Sequence, residues 1–373
     1  MNKKSIALID PVGGKAGMDY YDISLMKSMA SLGYSATLFS NFDISAEGVH
    51  TVKSFNNIGV PKVMAIFNNF VYFISALIFC KRKKVAWLFL HLFRGGLFDL
   101  VTIGLARLLG IRIILIIHDV KSLDTLAIPI TRQIILTHFN HSKIVHNRFS
   151  FHELAKEIKA SAMGNVHIIP HGNYISLATA PPGHLNGIPG FAYNKANRYI
   201  LFFGQLKKAK GLDVLIKAMG RADTMYHLIA AGRGRDDSFA SYRELVKSNG
   251  LHGRVHIIDR FITDEERDFL FRHSELVVLP YKRVYQSGVL LMSMSYSKVS
   301  IASDLEPNRE VLNNGQNGFL FEAGNPEPLS RLLEQAYRGQ FDLKAIGLKA
   351  FETVQTGNSW ERIAAAYDAV LQG

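Results

Sequence analysis

A single cysteine, Cys80, stands in 373 residues, so an internal disulfide framework is excluded and a reducing compartment is the expectation. No Asp-x-Asp pair occurs, which removes the usual carboxylate device for holding a metal-bound diphosphate. No Cys/His cluster suggests zinc. Gly-x-Ser-x-Gly and Gly-x-x-x-x-Gly-Lys-Ser/Thr are also missing, which argues against a hydrolase nucleophile elbow and a P-loop. Low-complexity tracts and sequence repeats are absent. The start has no leader pattern, since Lys3 and Lys4 run straight into the strand-like SIALID.

What is present begins with positive charge. Lys and Arg number 43 against 31 Asp and Glu, giving a formal net charge of +12. That balance calls for an anionic partner: phospholipid, nucleic acid or a charged sugar polymer. The basic residues are not interleaved with aromatics in a recognisable module, so nucleic acid is the weakest of the three. Val63–Cys80, VMAIFNNFVYFISALIFC, is the one membrane-like stretch, and Lys81-Arg82-Lys83-Lys84 follows at once. Three readings stand: a spanning helix, a buried helix, or a helix lying on an anionic membrane surface. Asn68, Asn69 and Ser75 disfavour spanning, because amides in hydrocarbon are costly without partners.

The length suits two domains, and near-continuous apolar strands alternate with helices throughout. SIALID (5–10), SATLFS (35–40), VAWLFLHL (85–92), IRIILIIHD (111–119), SKIVHN (142–147) and VHIIPHG (166–172) read as strands of a parallel sheet covered on both faces. Residues 174–198 dissolve into a proline- and glycine-rich stretch, the best linker candidate. YILFFG, YHLIAAG, RVHIID, LVVLPY, VSIAS and GFLFE then form a second series, and 359–371 reads as an amphipathic helix. The expected class is α/β, with two Rossmann-like doubly wound domains.

Two strand–loop–helix units in the second half carry the chemistry. Tyr199–Gly211, YILFFGQLKKAKG, crowds Lys207, Lys208 and Lys210 ahead of a helix opened by Gly211. Such a loop either grips phosphates with amides and ammonium groups or is a solvated basic turn. The second unit, Leu279–Asp304, places Tyr285-Gln286-Ser287-Gly288-Val289 before a helix, where Ser287 can cap and Gly288 admits close backbone approach. In the first half, residues 11–17, PVGGKAG, form a glycine loop after the first strand. His118 and His171 sit at strand ends, where open α/β sheets bind ligands. A lone His there is otherwise a satisfied polar residue.

The wording and spacing of these loops resemble the bacterial GT-B glycosyltransferases of family 4, strongly from Tyr199 to Gly324 and loosely before. The resemblance implies two Rossmann-like domains facing across a cleft. Residues 1–190 would be the acceptor-side domain, ending in the linker at 174–198. Residues 191–358 would bind the nucleotide sugar, and 359–373 would return to the first domain. Gly204 and Lys210-Gly211 match the family's G-R-L-x-x-x-K-G pattern, but Gln205 replaces its Arg, a charge that Lys207 can supply. The usual pair of glutamates eight positions apart falls on Val284 and Met292, as in a subset of members with Q-S-G-V, so the donor-sugar and ribose roles are unassigned. Glu310 matches the family's P-E-V segment.

On this resemblance the catalytic candidates are His118, Lys210 and Asp19, with Tyr20 beside Asp19 toward the acceptor. The donor-binding candidates are Gly13, Gly14, Lys207, Lys210, Gln286, Ser287, Gly288, Val289 and Glu310. The implied reaction moves a hexosyl unit from a nucleoside diphosphate sugar to a hydroxyl of a lipid-linked saccharide, in exopolysaccharide, capsule or lipopolysaccharide assembly. Retention of configuration, no metal or other cofactor, and attachment to the inner, anionic face of the cytoplasmic membrane are expected with it. A non-catalytic glycosyltransferase-like partner and a sugar-nucleotide epimerase are the alternatives.

Overall fold

The computed structural model describes every residue except 1–3, 12, 14–17, 43–44, 56–58, 94, 122–128, 140, 182–186 and 235–237. The chain divides into two compact units: Met1–Gly172 with Asn358–Gly373, and Asn173–Gly357.

Unit 1 is built on seven parallel strands: β1 (Ser5–Asp10), β2 (Ser35–Ser40), β3 (Val49–Lys53), β4 (Trp87–Leu92), β5 (Arg112–Ile117), β6 (Ser142–Val145) and β7 (Val166–Ile168). Their order is β3-β2-β1-β4-β5-β6-β7. The apolar runs read from the sequence are the buried central strands. β3, VHTVK, is a half-exposed edge strand that the sequence reading does not contain. Helix Asp19–Ser31 and the final helix Trp360–Gln372 cover one face. Tyr21, Leu25, Met26 and Met29 of the first pack in one core with Trp360, Ile363, Tyr367 and Leu371 of the last.

The membrane-like stretch is one helix, Lys62–Arg82. Phe73, Ala76, Leu77 and Cys80 are buried, and Phe73 meets Phe98 edge-on at 5.9 Å. Its opposite side exposes Met64, Ile66, Phe67, Phe70, Val71 and Ile78. Full burial is therefore wrong: one face packs on unit 1 and the other is apolar and open. Among the described residues it is the one helix long and apolar enough to cross a membrane. Burial pushes the Cys80 thiol up to about 12, so it is protonated and unreactive.

Unit 2 is a six-stranded parallel sheet: β8 (Tyr199–Phe203), β9 (His227–Ala231), β10 (Val255–Ile258), β11 (Leu276–Leu279), β12 (Val299–Ser303) and β13 (Phe319–Phe321). The order is β10-β9-β8-β11-β12-β13. Both units thus have the doubly wound plan, with the strand order reversing between β1 and β4 and between β8 and β11. Ligands of such sheets bind outside the strand carboxyl ends at that reversal.

The division of the chain corrects the expected boundary at residue 190. It falls at Gly172, ahead of the proline- and glycine-rich stretch. Asn173 Nδ2 donates to Val354 O at 3.0 Å, and the Tyr174 amide donates to Ser295 Oγ at 2.9 Å. These bonds tie the segment to unit 2, while Asn358 Nδ2 donates to His171 O at 2.8 Å and starts the return to unit 1. A Cβ on Gly172 would lie 2.1 Å from Trp360 Cε2, so only glycine fits where the two ends of unit 1 meet.

Candidate functional site

In unit 2 the reversal point brings the two basic and glycine-bearing loops together, because β8 and β11 are paired neighbours. After β8 the chain makes a single 3-10 turn, Lys208–Lys210. It then passes Gly211 at φ 70° and enters helix Leu212–Arg221. A Cβ on Gly211 would lie 1.8 Å from Pro280 O, so the left-handed glycine and the close approach of the β11 loop are one requirement. The Lys282 amide donates to Ala209 O at 2.9 Å, and Lys282 Nζ pairs with Asp213 Oδ2 at 2.8 Å. Among the described residues Lys210 has no such carboxylate. Its ammonium lies 3.8 Å from the centre of the Tyr281 ring, held by the π face and open to an anion.

The second loop ends in an N-cap. Ser287 Oγ accepts the Leu290 amide at 3.2 Å and starts helix Gly288–Ser295. The amides of Gly288 and Val289 have no acceptor within that helix. A Cβ on Gly204 would meet Val289 Cγ2 at 3.6 Å, so the first loop faces this helix start. Two helix N-termini, one ammonium and a cluster of amides therefore converge on one edge of the sheet, which is the chemistry of diphosphate binding. Lys207 sits half-buried ahead of the 3-10 turn and Gln286 half-buried ahead of Ser287. Glu310 is farther along the same edge, exposed at the end of the short helix Glu306–Arg309 that follows β12. Val284 and Met292 are buried, so the two family glutamate positions are filled by apolar packing.

In unit 1 the carboxyl edge gathers titratable groups from successive strands. Asp10 ends β1, His91 lies in β4, and His118, His146 and His171 follow β5, β6 and β7. Tyr21 stands over them. Its ring lies edge-on at 5.6 Å from His91, 5.6 Å from His118, 5.7 Å from His146 and 4.9 Å from His171. Asp22 Oδ1 and His91 Nε2 are 2.7 Å apart, and His91 Nδ1 and His118 Nε2 are 2.8 Å apart. With Asp22 ionised, His91 Nε2–H donates to it, His118 Nε2–H donates to His91, and His118 Nδ1 is left as an acceptor. A proton placed on Asp22 Oδ1 would reverse both links and turn His118 Nδ1 into a donor.

Burial holds His118 well below the ordinary histidine value, with the neighbouring His91, His146 and His171 acting in the same direction. Burial also lowers His146 to about 3 and His171 to about 4. Asp22 is raised well above the usual carboxylate range by burial. His118 is thus a neutral hydrogen-bonding imidazole, not an imidazolium. Asp10, Asp22 and His91 bring donor atoms within 4.8 Å of one another, a set of a size that a cation can share.

The structure brings His118 and His171 together in this cluster and adds Asp10, Asp22, His91 and His146, which sequence reading did not single out. For Asp10, His91 and His146 the signal was a polar residue at or near the end of each of several successive strands, whereas Asp22 lies in the helix Asp19–Ser31 and had no such signal. Asp19 and Tyr20 are half-buried at the start of the first helix. Gly13 is placed beside Asp10: a Cβ on it would lie 3.2 Å from Asp10 Oδ2 and 2.7 Å from Phe42 Cε1. Gly14 lies outside the described residues.

Residues 197–338 match the family model described as Glycosyl transferases group 1. The match lies within unit 2 and covers less than half of the chain. Among curated proteins, a phosphatidyl-myo-inositol mannosyltransferase of Mycobacterium leprae is 25% identical over 250 residues, 60% of this chain and 63% of that protein. The chain therefore spans less than two thirds of that relative's length. Among solved structures, a sucrose-phosphate synthase from Thermosynechococcus elongatus superposes with a TM-score of 0.77 at 16% identity, covering 99% of this chain and 98% of that one. Anabaena HepE in complex with UDP-glucose gives 0.76 at 15% identity, covering 99% of both chains. These likenesses show the GT-B fold of two Rossmann-like units along the whole chain.

Proposed function

We propose that the chain transfers a hexosyl unit from a nucleoside diphosphate sugar to a hydroxyl of a lipid-linked saccharide. The observation that carries this is the pair of loops at the β8/β11 reversal, with the Lys210 ammonium, which meets no carboxylate among the described residues, beside the opening amides of helix Gly288–Ser295. In this reading Lys210, Lys207 and the Gly288 and Val289 amides hold the diphosphate and stabilise the charge that develops as it leaves. His118 hydrogen-bonds the donor sugar, and Asp19 with Tyr20 faces the acceptor. No side chain is cast as nucleophile: the donor's own phosphate takes the acceptor proton on the face the sugar leaves, which retains configuration without a metal.

A lipid acceptor is supported by the mannosyltransferase relative, whose name gives phosphatidyl-myo-inositol, and by the apolar open face of helix Lys62–Arg82. Lys81, Arg82, Lys83 and Lys84 are all exposed at its end, where they meet anionic headgroups of the inner cytoplasmic membrane leaflet. The test is incubation with labelled UDP-glucose or GDP-mannose and a bacterial lipid extract. Label should enter the lipid fraction with one donor, and Lys210→Ala should cut the rate by about 100-fold. An isomerised donor without acceptor would instead make the chain an epimerase. Binding without turnover would make it a non-catalytic partner.

A further inference from the structure

Unit 1 has a second polar concavity, on the edge of its sheet opposite His118. It is an open cavity of about 730 Å³. Trp87 and Arg112, which begin β4 and β5, line it with Arg107, His141, Asn165 and His167. Ala369 and Val370 of the final helix line another side, and no aspartate or glutamate is among the described lining residues.

Among the described residues, three polar atoms there are buried without a hydrogen-bond partner: Trp87 Nε1 and both ring nitrogens of His141. His141 is 3% exposed and Trp87 8%. An unsatisfied buried donor or acceptor costs about 1–3 kcal/mol, so three such atoms in one lining, two N–H donors and the acceptor nitrogen of a neutral His141, ask for a ligand. Lys143, 1% exposed, reinforces the sign. Among the described residues its Nζ reaches the carbonyls of His141 at 3.3 Å and Ala162 at 3.5 Å. Burial together with the charges of Lys143 and Arg107 lowers His141 to about 3. The Arg112 guanidinium lies 5.3 Å from the centre of the Trp87 ring, which holds it at the rim.

We infer that this cavity binds a phosphate-bearing ligand, with Trp87 and His141 donating from its floor and Arg107 and Arg112 supplying the charge. The volume admits an organic phosphate and not merely an inorganic ion. The site is independent of the donor loops, so its failure would leave the proposed transferase reading untouched.

The test is a titration of the whole protein with glycerol 3-phosphate, followed by tryptophan emission, since Trp87 is one of only two tryptophans. A saturable change is expected, weakened about tenfold or more by Arg112→Ala, whose side chain is on the surface. Trp87→Phe should abolish the optical signal while calorimetry still records binding. Pelleting with phosphatidylglycerol vesicles then separates the sources. Vesicle binding lost in Arg112→Ala and competed by glycerol 3-phosphate identifies a lipid headgroup. Vesicle binding insensitive to both, with glycerol 3-phosphate still bound, identifies a soluble organic phosphate. No saturable change, or the same affinity in Arg112→Ala and Arg107→Ala as in the parent, would overturn the inference.

Discussion

Lys210 has the face of Tyr281 on one side and, among the described residues, no carboxylate on the other, whereas Lys282, two residues from Pro280, is neutralised by Asp213. A cation so placed is for binding an anion, and Lys210→Ala should lower transfer without moving the melting temperature. On the unit 1 sheet, His91 stands between Asp22 and His118 and acts as a positioning residue. His91→Phe should lower kcat by about tenfold or more while leaving the donor KM within about twofold, because it frees the His118 tautomer but removes no donor contact. The pH dependence of kcat should change along with it, because Asp22 then no longer sets the direction of the chain. An unchanged pH–rate profile would refute the positioning role. The lysines were legible in the sequence because a basic run after an apolar strand is a local pattern. Asp22, His91 and His146 were not, because each is a single polar residue whose meaning comes only from the strand order and, for Asp22, from the packing of the helix Asp19–Ser31 beside His91.

Helix Lys62–Arg82 shows how an element can be found correctly and still read ambiguously. Its length and apolar character are visible in sequence, but which face is covered depends on packing against the Leu97–Leu108 helix and the sheet. Ile66 and Phe67 are 66% and 65% exposed, so Ile66→Asp with Phe67→Asp should leave stability within about 0.5 kcal/mol. The same change should abolish pelleting with anionic vesicles; undiminished pelleting would exclude this face as the membrane contact. Strand β3 escaped detection because an edge strand needs only one covered side, and VHTVK carries no apolar run. The final helix was legible as amphipathic, and the core it enters is that of unit 1. Tyr367 is fully buried and its hydroxyl lies 3.0 Å from that of Tyr21. Tyr367→Ala should destabilise unit 1 by about 3–5 kcal/mol, measured by chemical denaturation.

For the whole molecule, the doubly wound plan was readable from alternating strands and helices, while the crossing point between units was not. Glycine and proline at 174–198 suggest a linker, but the segment opens with the short helix Ile175–Thr179, and the bonds of Asn173 and Tyr174 decide which unit owns it. The buried histidines give unit 1 a pH dependence. Because His146 and His171 titrate far lower when folded than the ordinary 6.5, the unfolded chain binds more protons below that value. Stability is full above about pH 6.5 and falls with acidification, by about 2 kcal/mol per histidine on reaching pH 5. Asp22, raised by burial, works in the opposite direction but is outnumbered. Melting curves at pH 7 and pH 5 should therefore show a lower transition at pH 5; an equal or higher one would contradict the burial of this cluster. The central claim is that unit 2 holds a nucleoside diphosphate, and thermal stability against UDP, GDP, ADP and dTDP tests it most directly. One nucleotide should raise the melting transition, by an amount equivalent to about 2.7 kcal/mol at a hundredfold excess over Kd, and Lys210→Ala should remove most of that shift. No shift with any of the four, or an undiminished shift in Lys210→Ala, would contradict it.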